Sequence, residues 1–162
     1  MDQDLDTLEE ALGYLARAMS RPRLWQAIQK SANVTIDRPS AHLLRTLSDH
    51  DAGCNLHELA IKLGIEAPSV SRTVQRLEQD RLIVRIIDKT DRRTNHLRLT
   101  SRGLQTIKYL RRAKREHFKA LFSSWSSTDR QQLVQLLHRL ALEAAQTTDT
   151  LSVERPLKEI KL

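Results

Sequence analysis

The chain has 162 residues, enough for one sizeable core and too few for two large independent domains. With 40% hydrophobic and 29% charged residues it has the balance of a soluble globular protein, and only four Gly and four Pro interrupt it, which excludes an all-β architecture and predicts long helices. The net charge of +7 is uneven: Ser71–Arg115 holds fourteen Lys and Arg against four acids, so this stretch carries +10 and the remainder −3, the footprint of a surface for a polyanion.

At the N-terminus, Leu5, Leu8, Leu12, Leu15 and Met19 recur at alternating spacings of three and four residues, the repeat of a helix packed along another helix. The pattern fits a seam within the chain and a seam between two copies equally well. Met1-Asp2-Gln3-Asp4 lacks the basic region of a secretory signal, and no run approaches the roughly 18 apolar residues of a membrane span. A cytoplasmic location is expected, as it is from a lone cysteine, Cys54. Pro22 breaks the first helix ahead of a second apolar stretch with Leu24, Trp25 and Ile28.

Asp37 and Pro39 start a short helix with Leu43, Leu44 and Leu47 on one face. Asn55 and Glu58 form a capping-box variant ahead of Leu56, Leu59, Ala60 and Leu63, and Gly64 supplies a left-handed stop. After Ile65-Glu66-Ala67, Pro68 fits the first turn of another helix with a buried stripe of Val70, Thr73, Val74 and Leu77. Two helices joined this tightly make a helix-turn-helix. Projection at about 100° per residue puts Arg72 opposite the stripe, flanked by Ser69, Ser71, Gln75 and Arg76.

The run Ile83–Ile87 is β-branched and too short for a helix, while His96–Leu99 alternates polar and apolar, so a hairpin is expected around a basic loop from Asp88 to Asn95. Thr100 then caps a long helix through Leu104, Ile107, Leu110 and Ala113 to Phe122. A last helix starts near Ser127-Thr128-Asp129 and carries Leu133, Leu136, Leu137, Leu140, Ala141 and Ala144 on one stripe. The fold class predicted is mainly α with a small two-stranded β-wing.

A helix-turn-helix followed at once by a basic hairpin suits double-stranded DNA. The second helix fits the major groove, where base edges present a distinguishable pattern, and the hairpin reaches the adjacent minor groove. Ser69, Ser71, Arg72, Gln75 and Arg76 are the candidate base readers, and Arg92 or Arg93 suits a narrow A·T-rich minor groove.

From about Leu43 to Gly103, and in helix order across nearly the whole chain, the sequence resembles the MarR/SlyA family of transcriptional regulators. The residues that carry the likeness are Leu63–Val74, Leu77-Glu78 with Leu82–Arg85, Asp91-Arg92-Arg93, and Leu97–Thr100. The resemblance implies a homodimer on a palindromic site, most often a repressor, with Arg72 contacting bases, Arg93 in the minor groove and Asp91 orienting the wing arginines; Asp91 also reads as a turn former. It implies helices of dimerisation at 1–36, a winged helix-turn-helix at 37–100, further dimerisation helices at 101–148 and a tail at 149–162, in one integrated fold. Two positions depart from the family: Arg81 stands where Gly usually follows the recognition helix, and Lys89 where the wing usually has Pro.

Many relatives in such a family respond to small anionic aromatic effectors. By position, Trp25, Arg38, His42 and Arg45 line such a pocket; the plainer alternative is Trp25 as core and the others as surface. Cys54 precedes a helix start, a position that lowers a thiol pKa, but it has no resolving partner in the chain, and redox sensing is not expected. The six histidines, 42, 50, 57, 96, 117 and 138, lack paired-ligand spacing, so no metal or other cofactor is expected. No phosphate-cradling glycine loop, nucleophile elbow or carboxylate pair marks an enzyme. The rival to a regulator is a winged-helix architectural or protein-interaction module without sequence specificity.

Overall fold

The computed structural model describes residues 2–50, 53–87 and 95–149. In order these form α1 (Asp2–Ser20), α2 (Pro22–Ala32), α3 (Arg38–Ser48), α4 (Leu56–Leu63), α5 (Ala67–Gln79), β1 (Ile83–Ile87), β2 (Asn95–Leu99), α6 (Ser101–Leu121) and α7 (Ser127–Asp149). The fold class is the one expected, helical with a two-stranded antiparallel wing. The chain divides into two compact units, Met1–His117 and Phe118–Leu162. The tail beyond 149 lies outside the described residues.

In the first unit the core is built from leucines that the helix caps bring into phase. Asp37 caps α3 by accepting the Ser40 amide at 2.8 Å, which orients Leu43, Leu44 and Leu47 inward. Asn55 and Glu58 close a reciprocal capping box on α4 at 2.8 and 3.0 Å, and Gly64 ends that helix in the left-handed region at φ 62°. With Pro68 in its first turn, α5 starts three residues later and buries Val70, Val74 and Leu77. Leu43, Leu44, Leu59, Val70, Val74, Leu77 and Leu97 are all at most 2% exposed, so the helix-turn-helix and the wing share one core.

The wing pairs Ile83 with Leu99 through to Ile87 with Asn95, one residue earlier on β2 than the alternation predicts. A further bridge joins Cys54 to Leu97, whose amides and carbonyls exchange bonds at 3.2 and 2.8 Å. One residue of pairing has no periodicity, which is why the pattern did not reveal it. It places Cys54 in the core at 1% exposure, away from solvent reagents.

Thr100 locks the base of the wing. Its hydroxyl donates to the Arg81 carbonyl at 2.8 Å and accepts the Gly103 amide at 3.0 Å, capping α6 while holding the turn after α5. Gly103 packs so closely on the Leu82 carbonyl that a Cβ there would collide with it. In the turn itself Arg81 adopts φ 58°, the left-handed conformation that glycine takes without steric cost. The Leu82 amide reaches back to the Leu77 carbonyl at 2.9 Å and the Arg81 amide to Glu78 at 2.9 Å, so the turn geometry is kept and the strain falls on Arg81.

In the second unit Phe118 stacks on Phe122 at 6.1 Å and Trp125 meets Phe122 edge-on at 5.2 Å. Ser126 and Asp129 cap α7 reciprocally, at 3.1 and 3.2 Å, one residue ahead of the start read from the sequence. Leu136, Leu137 and Leu140 lie exposed on α7, as do Leu5, Leu8, Leu12 and Leu15 on α1 in the first unit.

Substituting Arg81→Gly is expected to stabilise the protein by about 0.5–1 kcal/mol, since a left-handed non-glycine residue costs about 1–2 kcal/mol and the added backbone entropy of the unfolded chain offsets part of the gain. Thermal unfolding at fixed protein concentration measures it; a lower melting temperature for the variant would contradict the account.

Candidate nucleic-acid interface

Burial of one stripe of α5 determines what its other side presents. With Val70, Val74 and Leu77 sealed inward, Arg72 and Gln75 are exposed, and Ser69 and Ser71 are half-buried at the flanks. Gln79 is exposed as well, seven residues beyond Arg72 and therefore on the same side of the helix. The sequence reading missed it because the predicted stripe stopped at Leu77, leaving the last turn unassigned.

Arg76 is placed differently from its projection. Its guanidinium pairs with Asp37 Oδ2 at 2.7 Å and donates to Ser40 Oγ at 2.8 Å, both on the start of α3. At the end of α5, Arg85 of β1 pairs with both carboxylate oxygens of Glu78, at 2.7 and 3.2 Å, and this bond holds the Arg85 pKa above its ordinary value. The recognition helix is thus tied to α3 through Arg76 and to the wing through Glu78. Asp91, Arg92 and Arg93, with Lys89, lie outside the described residues.

Behind α5, a cavity of about 570 Å³ is lined by Trp25, Gln29, Asp37, Arg38, Ser40 and Arg76, among others. Of the four residues proposed for an effector pocket, Trp25 and Arg38 line it, whereas His42 and Arg45 do not. Trp25 also serves the core: it packs against the buried cluster, and its Nε1 donates to the Ile36 carbonyl at 3.0 Å. The Arg38 guanidinium lies 5.8 Å from the Trp25 ring centroid and donates to the Arg21 carbonyl at 2.9 Å. The Lys114 ammonium lies 5.6 Å from the same ring. No sequence signal marked Lys114, because α6 comes to Trp25 only in the folded chain. Among the described residues no three His, Cys, Asp or Glu side chains gather as metal ligands, and no helix is long and apolar enough to cross a membrane.

Residues 36–94 match the family model of the MarR family, the segment from the end of the α2–α3 loop to the wing. The HTH-type transcriptional regulator YxaD of Bacillus subtilis (strain 168) is 29% identical over 105 residues, covering 65% of this chain and 73% of that one. Across this segment the chain is similar to the MarR family. A MarR family protein from Bacillus stearothermophilus shares the fold at TM-score 0.79 and 20% identity, over 89% of this chain and 97% of that one. A DNA complex of MepR from S. aureus superposes at TM-score 0.64 with 26% identity, over 81% and 96% of the two chains. These relatives are described as transcriptional regulators, and one of them is seen on DNA.

Positive charge gathers around Trp25, from Arg38 and Lys114 beside its ring. Burial, and then the neighbouring Arg45 and Arg38, lower the Lys114 pKa. A lysine whose folded pKa is depressed binds fewer protons folded than unfolded, so its penalty is full below the folded pKa and is relieved as pH rises towards the ordinary lysine value. Lys114→Met is therefore expected to raise the melting temperature at pH 7, with an advantage that shrinks as pH approaches 10.5, the ordinary value. Thermal scans of both proteins across that range read it, and an advantage that grew with pH would reverse the assignment.

Proposed function

We propose that this regulator binds a palindromic DNA site as a homodimer, with α5 of each protomer in the major groove. The observation that carries the reading is the outward face of α5: Arg72 and Gln75 are exposed and the apolar stripe is sealed behind them. Arg72 suits guanine O6 and N7, Gln75 suits adenine, and the Ser69 and Ser71 hydroxyls serve base edges or phosphates. MepR, whose fold the chain shares, is seen bound to DNA. In the same reading Arg92 and Arg93 enter the minor groove and Asp91 orients them.

The dimer is assigned to α1, α6 and α7. The leucines of α1 and α7 lie open to solvent in the single chain, Leu136 at 65% exposure among them, and a set of exposed leucines on helices suits burial between protomers. A closed two-fold dimer spaces its two recognition helices by one DNA turn, about 10 base pairs. We further propose a repressor released by a small anionic aromatic effector, which the Trp25 ring would stack and Arg38 and Lys114 would attract. The expected location is the cytoplasm, at the nucleoid.

Arg72→Ala is expected to cost about 1–3 kcal/mol on a selected palindrome and little on a scrambled duplex at the same salt. Equal losses on the two would make Arg72 a phosphate contact, and equal wild-type affinities would favour an architectural module. Replacing Leu8 and Leu12 by Asp is expected to shift the protein from dimer to monomer or unfolded chain in sedimentation. An intact dimer would move the interface off α1.

A further inference from the structure

Arg76 lies in the helix that the proposed function puts in the major groove, and helical projection turns its Cβ towards the groove side. Its guanidinium nevertheless goes elsewhere, into a closed ring of contacts with α3. Asp37 pairs with Arg76 through Oδ2 at 2.7 Å and accepts the Ser40 amide on Oδ1 at 2.8 Å, and the Ser40 hydroxyl accepts a hydrogen bond from Arg76 at 2.8 Å. Ser40 is 1% exposed, so its hydroxyl needs a partner inside the protein, and Arg76 supplies it.

We infer that Asp37 and Ser40 are positioning residues for DNA recognition, which act by holding Arg76 and so fixing how α5 lies on α3, and that Arg76 is an anchor and not a base reader. The inference rests on the DNA-binding reading above. Its physical basis is a division of labour. The apolar stripe fixes the rotation of α5 about its axis, because turning the helix would expose Val70, Val74 and Leu77. A stripe of three aliphatic side chains resists tilt and sliding less well, since apolar contacts are non-directional. The charge-assisted hydrogen bond from Arg76 Nη2 to Ser40 Oγ is directional, the Asp37 carboxylate beside it adds attraction, and Arg76 sits one turn beyond Arg72, where a lever on the helix controls the reading side chains. Groove contacts tolerate about 0.5 Å of misplacement. Both partners in the pair are about half-exposed, so its contribution to overall stability is small while its geometric effect is not.

The test uses the full-length protein, with a palindrome selected from random duplexes and a scrambled duplex. Asp37→Asn keeps a good helix cap and removes the ion pair; Arg76→Gln removes the cation; Arg72→Ala serves as the reader control. The clamp predicts that Asp37→Asn and Arg76→Gln each lower the ratio of specific to scrambled affinity about tenfold. It also predicts that the double variant is no worse than either single one, and that the salt slope stays at the wild-type value for both. Amide exchange over Thr73–Gln79 is expected to run about fivefold faster in these two variants and unchanged in Arg72→Ala. If Arg76→Gln alone lowers affinity, with the salt slope reduced by about 0.9, Arg76 is a phosphate contact and the clamp is overturned. If exchange over α5 is unchanged in Asp37→Asn, the clamp is overturned whatever the DNA does. If wild-type protein does not discriminate between the duplexes, the regulator reading fails, and the exchange result alone decides whether Asp37 holds α5.

Discussion

Burial of Val70, Val74 and Leu77 against the leucines of α3 and α4 is the interaction from which the rest of the surface follows. Sealing each such side chain is worth about 1.5–3 kcal/mol, whereas a surface ion pair contributes about 0–1 kcal/mol. No arrangement of the charged side chains can therefore turn α5 over. The charges are left to refine a geometry that the apolar stripe has already chosen, and Arg72 and Gln75 face outward as a consequence of what Val70 and Val74 do.

The cations then divide into two sets. Arg76, Arg85 and Arg111 are engaged with Asp37, Glu78 and Asp49; the first and third contacts join elements distant in sequence, and the second joins α5 to the strand that follows it. Arg72, Arg102, Lys108 and Arg112 are exposed, and among the described residues they form no ion pair. The excess of positive charge between Ser71 and Arg115 is thus only partly a surface for a polyanion. Some of it is internal bracing, and a count of lysines and arginines does not separate the two.

How much was legible in the sequence follows the same division. The caps at Asp37, Asn55, Gly64 and Thr100 could be read because each involves partners within a few residues, and the stripe of α5 because helical spacing repeats. The angular position of Arg76 describes its Cβ and puts it beside the base-reading side chains. A guanidinium ends several bonds away, and its partners lie 36 and 39 residues earlier in the chain, where no periodic rule connects them. The Cys54–Leu97 bridge and the approach of Lys114 to Trp25 were hidden for the same reason. Arg81 was the opposite case: the absence of glycine raised the question of strain, and its φ of 58° shows that the turn was retained and the strain accepted.

In the proposed dimer, two independent quantities must suit the operator: the tilt of each recognition helix, set within a protomer, and the spacing between the two, set by the helices that join them. The exposed leucines of α1 and α7 make the second a matter of association, and association depends on concentration. A palindrome with correctly spaced half-sites binds the dimer better than two separate protomers, so it must also strengthen the dimer by the same factor, because linkage is reciprocal. Operator binding and protomer assembly are then one equilibrium, in which a change in the spacing of the two winged helices weakens both together.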